Sequence, residues 1–319
     1  MSEGRRDRLW RAYWDGREST TLKTYGSAYR GLKRICEMED LSLFHMNAEA
    51  RCEVMMVLEE QGKSEGMLRL TMAVISMIRE VTGETGEESK MEAKVRKSTV
   101  KKMNLKKKKK RKLPANMTDI QKLLGKVLET NVEMLDRMVA MVFILSYLGC
   151  RRFSDINRLR LSDISFGSKE ITFFMAKSKT DVLAVGREFT VANGSMGEFT
   201  VEQVLGKYIN VMGLQSRDFL FPTVKGKLVD KRKSLAYSSA HKGLELLKKE
   251  LGLDPRITLH SPRVGSATEG ARLGVRRSVL KEAGQWRSDA VDGYIQEERA
   301  GGVLSRALLE LDCGRILLV

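Results

Sequence analysis

The chain has 319 residues, 57 Lys and Arg against 41 Asp and Glu, and a formal net charge of +16 with 42% hydrophobic residues. That length leaves room for two domains and a sizeable core. No apolar run is long enough to span a membrane, the start lacks the apolar stretch of a secretory signal, and four cysteines without C-x-x-C spacing beside three histidines argue against a disulfide frame or a zinc site. The expectation is an intracellular protein with reduced thiols. There is no Walker A sequence, no G-x-G-x-x-G after a strand and no H-E-x-x-H, so no cofactor and no metal are expected.

Residues 1–17 read as an N-terminal tail. "STTLKTYGSAYRGLKRICEME" then opens on Ser/Thr and places Leu22, Tyr25, Tyr29, Leu32 and Ile35 at helical spacing. "NAEARCEVMMVLEEQG" and "SEGMLRLTMAVISMIREVTG" each begin with a cap-type residue and close on Gly. Residues 18–93 are therefore predicted to form a small helical bundle whose Met and Leu stripes are core. Next comes "KVRKSTVKKMNLKKKKKRKL" (94–113), with twelve Lys and Arg and no acid. Such a run repels itself and is expected to be an extended, solvated linker. A solubilising linker, a strap on nucleic-acid phosphate formed by Lys106, Lys107, Lys108, Lys109, Lys110, Arg111 and Lys112, and a nuclear-import signal are the readings it admits.

After Pro114 the pattern changes. "MTDIQKLLGKVLE" reads as a helix capped by Thr118, and "EMLDRMVAMVFILSYLG" as a buried helix. "KEITFFMAKSKTDVLAVGREFTVA" reads as two strands around a polar turn. Helices are predicted over "VEQVLGKYINVMG", "YSSAHKGLELLKKELG", "PRVGSATEGARLG", "RRSVLKEAG", "DAVDGYIQEERA" and "LSRALLELD". The fold class is mainly α (α+β), with one small hairpin in residues 114–319.

In "TLHSPRVGSATEGARLGV", Ser261 is a candidate N-cap and Pro262 suits the first helical position. Arg263 then falls in the first turn, where an anion is favoured. His260 and Arg263 together look aimed at a phosphate or carboxylate. His-x-x-Arg alone is a weak signal, and a capped helix with a surface arginine fits it as well. Three other places add to it. "YLGCRRFSDINRLRLSDI" carries Arg151, Arg152 and Asp155; "KSKTDVLAVGRE" puts Lys179 beside the hairpin turn; "EAGQWRSDAVDGYIQEE" carries Trp286 and Tyr294.

With these elements in this order the sequence resembles the tyrosine recombinases of the phage-integrase family. That family reads Arg-x-x-Glu/Asp with an apolar residue next, a hairpin Lys, His-x-x-Arg, Gly-(His or Trp), and then Tyr about eight or nine residues on. Here Arg152-Phe153-Ser154-Asp155 fits the first element, Lys179 lies 27 residues on, and Tyr294 follows Trp286 by eight. Arg151 adjoins Arg152, so the first assignment could slip by one. The block "GQWRSDAVDGYI" looks most like the recombinases of DIRS-type and Crypton-type eukaryotic mobile elements, and "TLKTY" resembles the start of the family's core-binding domain.

The resemblance implies a helical core-binding domain (18–93) and a mostly helical catalytic domain (114–319), clamped on double-stranded DNA and assembled as a homotetramer there. It implies cleavage and rejoining of DNA through a phosphotyrosyl intermediate, with Tyr294 as nucleophile. The chemistry suits the residue types. Two arginine forks, Arg152 and Arg263, match the oxygens of a phosphorane-like transition state. Lys179 can protonate the leaving 5′ oxygen. His260 can take the tyrosine proton or hydrogen-bond a phosphate oxygen. Trp286 has an N–H that only donates. Asp155 orients Arg152 or is a surface acid. The tail "LSRALLELDCGRILLV" fits either a neighbouring subunit or its own domain. The implied location is the nucleus in a eukaryote, otherwise the cytoplasm or nucleoid. A recombinase-derived DNA-binding protein without chemistry and a type IB topoisomerase-like enzyme are the rival readings.

Overall fold

A computed structural model describes residues 19–84, 87–106, 113–176, 185–226 and 228–295. The chain divides into two units, Met1–Lys110 and Arg111–Val319.

The regular elements among the described residues of the first unit are all helices: α1 (Ser19–Met38), α2 (Ala48–Glu60), α3 (Glu65–Thr82) and α4 (Lys90–Lys106). Asn47 and Ser64 cap α2 and α3 through their side chains, and Gly83, at φ 77°, closes α3 in the left-handed region that glycine adopts freely. Leu32, Ile35, Val54, Met55, Leu68 and Ile75 form the core, as the helical spacing predicts.

The expected extended linker is corrected over residues 94–106, which are the body of α4. Three things outweigh its self-repulsion. Ser89 and Glu92 form a reciprocal capping box, the Ser89 Oγ accepting from the Glu92 N–H and the Glu92 carboxylate from the Ser89 N–H. Glu92, Thr99 and Met103 lie on one face and are buried, while Lys94, Lys97, Lys101 and Lys102 stay in water. Arg51 forks onto Glu92, with Nε 2.5 Å from Oε1 and Nη2 3.0 Å from Oε2. Lys106 ends the helix paired with Glu59; the other basic residues assigned to a strap, 107–112, lie outside the described residues.

The Arg51–Glu92 pair is buried, and the guanidinium holds the Glu92 carboxyl down at about 2. A depressed carboxyl stabilises fully above its ordinary range and loses that contribution as pH falls through the folded value. Glu92→Gln is therefore expected to cost about 3 kcal/mol of unfolding free energy at pH 7. It should also flatten the loss of stability between the ordinary carboxyl range and pH about 2. Denaturant titrations at pH 7 and pH 3 measure both; a variant as stable as the parent at pH 7 removes the pair from the account.

The second unit is built on α6 (Met134–Leu148), whose residues from Arg137 to Tyr147 are all buried. α5 (Met117–Leu128) precedes it. Its cap is Asn116, not Thr118: Asn116 and Asp119 form a capping box, and Thr118 already lies inside the helix. Arg137 reaches back to the carbonyls of Val127, Glu129 and Thr130, a cation on the negative end of α5. After the short α7 (Phe153–Ile156), strands β1 (Ile164–Phe166), β2 (Glu170–Met175) and β3 (Arg187–Ala192) form an antiparallel sheet in that order. Ile171, Phe173, Met175, Phe189 and Val191 alternate into the core, and Phe173 stacks on Phe189 at 4.8 Å. These are the two strands expected around the polar turn.

The single inserted hairpin is an undercount. β4 (Ser195–Met196) pairs with β5 (Phe199–Thr200), and β6 (Pro222–Lys225) with β7 (Leu228–Ser234). β7, "LVDKRKS", buries no alternate side chains, so it carries no period-two signal. The helices α8 (Val201–Met212), α9 (Tyr237–Leu251), α10 (Ser261–Arg272) and α11 (Arg277–Ala283) follow as read. "DAVDGYIQEERA" differs. Asp289–Gly293 is one 3₁₀ turn capped by Ser288 and forked by Arg277, which bonds Asp289 and Asp292. Residues 296–319, including the predicted "LSRALLELD" helix, lie outside the described residues.

Candidate active site

The site is assembled where the end of α6 meets the start of α10. Gly149 and Cys150 turn the chain out of α6, with Cys150 at φ 53°. α10 lies close against the segment before α5. A Cβ on Gly265 would fall 1.9 Å from the Ala115 oxygen, and the Ala115 N–H donates to the Ser261 carbonyl at 3.0 Å. Only a bare glycine permits that approach, and it fixes the N-terminus of α10.

That terminus begins one residue earlier than expected. Ser261 is not the cap but the first helical residue, and His260 holds the cap position without a side-chain cap bond. The Ser261 hydroxyl instead accepts the Thr258 N–H at 2.9 Å, locking the loop before the helix. Pro262 lies in the first turn, as predicted.

Arg263 is fully buried, contrary to an arginine presented outward at the helix mouth. Its Nη1 donates to the Cys150 carbonyl and its Nη2 to the Gly284 carbonyl, each at 2.7 Å. Its Nε has no acceptor. The guanidinium lies 4.0 Å from the Trp286 ring centre and 5.3 Å from that of Tyr294. Burial, and after it the positive charge of Arg152, pull the Arg263 pKa down. An anion entering here would meet a buried guanidinium whose hydrogen-bond partners are neutral carbonyls.

Tyr294 follows the 3₁₀ turn and is half-buried. Its ring sits 4.9 Å from Trp286 and 5.3 Å from His260, tilted against both. The Thr268 hydroxyl donates to its backbone carbonyl at 3.1 Å, holding the segment on α10. Trp286 is buried and its Nε1–H has no acceptor. Gly284 makes room for it: a Cβ there would lie 1.8 Å from the indole.

Arg152 keeps a partly exposed side chain at the start of α7. Asp155 is buried beside it; its Oδ2 accepts the Arg152 backbone N–H at 3.2 Å and lies 3.8 Å from Nη1. Asp155 thus fixes the backbone that launches Arg152 and adds a longer charge contact. Of the residues singled out from sequence, Tyr294 meets His260, Trp286 and Arg263, Arg263 also meets Trp286, Arg152 and Asp155 lie within electrostatic reach of Arg263, and Lys179 lies outside the described residues.

The sequence offers Arg151 only as a rival to Arg152, and Gly284 only as the glycine that opens "GQWRSDAVDGYI". Arg151 is the more buried of the two arginines. A cleft of 920 Å³ opens on its side of the site, bordered also by Arg187, Lys281 and Arg287. It does not include His260, Arg263 or Tyr294, so it is not where the grouped residues converge. Among the described residues no group of three or more His, Cys, Asp or Glu is placed to hold a metal ion, and no helix is long and apolar enough to cross a membrane.

This fold is shared with DNA recombinases of known structure. The XerH site-specific recombinase in a post-cleavage complex with its difH substrate is 14% identical, with a TM-score of 0.58 over 91% of this chain and 78% of that one. The Tn1549 transposon integrase with circular intermediate DNA is 14% identical, with a TM-score of 0.57 over 90% and 98%. A variant of that integrase on transposon right-end DNA is 12% identical, with a TM-score of 0.61 over 97% and 98%. No curated protein sequence matches the chain. The family profile described as the phage integrase family matches residues 116–298, more than half the chain, which belongs to that family, the tyrosine recombinases.

Proposed function

We propose that the chain recombines DNA at specific sites through a covalent phosphotyrosyl intermediate formed on Tyr294. The Tyr294 oxygen attacks the scissile phosphorus. An O–P bond to tyrosine forms, the bond from phosphorus to the 5′ oxygen breaks, and protein is left on the 3′ phosphate beside a free 5′ hydroxyl. The phenolic proton passes to His260, and Lys179 supplies a proton to the departing oxygen. Arg152 and Arg263 neutralise the non-bridging oxygens, and the Trp286 N–H is a further donor to them. Rejoining is the same path reversed, with a DNA hydroxyl attacking and tyrosine leaving; ATP has no part in the balance.

The observation that carries this reading is the packing of Tyr294 against His260, Trp286 and Arg263. Residues as far apart in sequence as His260 and Tyr294 meet there beside a buried arginine whose charge has no acid partner in direct contact among the described residues. The Trp286 and Tyr294 ring centres lie 4.0 and 5.3 Å from the Arg263 guanidinium, which joins the nucleophile candidate to the charge that would stabilise its attack.

The partner is double-stranded DNA. Two duplexes and four cleavages require four active sites, hence a homotetramer on DNA. The C-terminal block and the basic run together favour a DIRS-type or Crypton-type mobile element and a nuclear location. Incubation with nicked host DNA, followed by denaturation, tests the chemistry: protein should remain covalently on a 3′ end. DNA binding with no adduct would leave a binding protein without chemistry, and relaxation without joining of two DNAs would leave a topoisomerase.

The basic run contributes sequence-independent affinity. Neutralising Lys106 to Lys110 is expected to weaken binding to every duplex and to lower the slope of log affinity against log salt by about one per lost phosphate contact. Filter binding across a salt series reads the slope. An unchanged slope with lost nuclear import would assign the run to targeting alone.

A further inference from the structure

Among the described residues of the second unit, the non-glycine residues Cys150 and Gln285 hold left-handed backbone, each at φ 53°. A conformation of this kind costs about 1–3 kcal/mol and persists only where its surroundings enforce it. The two turns are tied by buried arginines. Arg263 bonds the carbonyls of Cys150 and Gly284. Arg151 donates from Nη2 to the Ala283 carbonyl at 2.6 Å, and its guanidinium lies 4.6 Å from the ring centre of Phe189 on β3. Ala283 ends α11, where carbonyls lack helical partners and a cation is favoured.

Arg151 is only 3% exposed, and its Nε and Nη1 have no acceptor and no contact with water. Burial pulls its pKa down to about 10. An aliphatic side chain would fill that volume without burying unpaired donors. What the arginine adds is the bond to Ala283. The turn Ala283–Trp286 is then held at successive residues: Ala283 by Arg151, Gly284 by Arg263, and Gln285 by its own side chain on the Glu188 carbonyl at 3.5 Å. The next residue, Trp286, lies on Arg263 and against Tyr294.

We infer that Arg151 is a positioning residue that fixes the Ala283–Trp286 turn to the end of α6 and to β3, so that Trp286 stays on Arg263 and behind Tyr294. The inference rests on Arg152, not Arg151, being the arginine that binds the scissile phosphate. Arg151 donates to the Ala283 carbonyl, whereas the Arg152 side chain stays partly exposed.

The first measurement needs no DNA. In a chain with Trp10→Phe and Trp14→Phe, Trp286 is the single indole. Indole emission moves to longer wavelength as the ring gains water. Arg151→Met should shift it that way, and Arg151→Lys, which keeps a donor for Ala283, should restore it. Emission unchanged in Arg151→Met overturns the inference, and so does a shift that Arg151→Lys fails to correct.

The second measurement follows single-turnover adduct formation on DNA recovered by covalent trapping. Arg151→Met should slow it about a hundredfold, the scale of a misplacement near 1 Å, with DNA affinity kept, and Arg151→Lys should recover most of it. A methylphosphonate at the scissile position removes the non-bridging charge. It should revive Arg152→Ala, whose lost function is charge neutralisation, and leave Arg151→Met slow. Revival of Arg151→Met would make Arg151 a phosphate ligand and overturn the inference. Absence of an adduct from the unaltered protein would defeat the catalytic reading, while the emission result would still decide the role of Arg151.

Discussion

Tyr294→Phe is expected to abolish the covalent protein–DNA adduct and leave DNA affinity within about twofold, because a single oxygen is removed from a group that acts as nucleophile. The ring contacts survive the change. Phe presents the same face to Trp286, His260 and the Arg263 guanidinium, and the bond from Thr268 goes to the backbone carbonyl, which the variant keeps. The 3₁₀ turn is held by Arg277 on Asp289 and Asp292, also untouched. The informative control is Tyr237→Phe. Tyr237 is exposed, stacked on His241 and edge-on to Phe153, with no ring contact to Arg263 or Tyr294, and removal of its hydroxyl should leave adduct yield intact. End-labelled nicked DNA run on a denaturing gel reads both. An adduct of undiminished yield from Tyr294→Phe would place the nucleophile elsewhere.

Much of this site was legible because its signals are local. His260 and Arg263 share one helix start, Arg152 and Asp155 share one turn, and Trp286 and Tyr294 are eight residues apart. Helix periodicity was equally local, and α1, α2, α3 and α6 follow it. What the sequence concealed depends on distant partners. The helix in the basic run exists because Glu92 finds Arg51, 41 residues earlier, and no charge count reveals that. Arg263 reads as a phosphate ligand at a helix mouth, yet in this structure it is buried by carbonyls 21 and 113 residues away. Arg151 looks like a duplicate of Arg152 until its bond to Ala283, 132 residues on, separates them. Gly284 is one glycine among 27, and only the indole lying on it makes it necessary.

Lys179→Ala is expected to reduce cleavage of ordinary DNA by about 10²–10⁴-fold, the range for loss of a positioned general acid. Its site is the segment joining β2 and β3, whose ends are paired at Met175 and Arg187. The leaving group is an alkoxide, and without a proton it departs poorly. Replacing the bridging 5′ oxygen by sulfur removes the need, since a thiol is far more acidic than an alcohol and the thiolate leaves unprotonated. Sulfur-bridged DNA should therefore restore cleavage by Lys179→Ala. Arg263→Ala should remain slow by about 10²–10³-fold on either substrate, because its missing function is charge stabilisation of the non-bridging oxygens, which sulfur does not replace. The contrast separates a proton donor from a charge donor within one active site. If the sulfur substrate fails Lys179→Ala although the variant still binds DNA, the proton comes from another group, with His260 or Lys177 next to be tested by the same substitution and the same substrate.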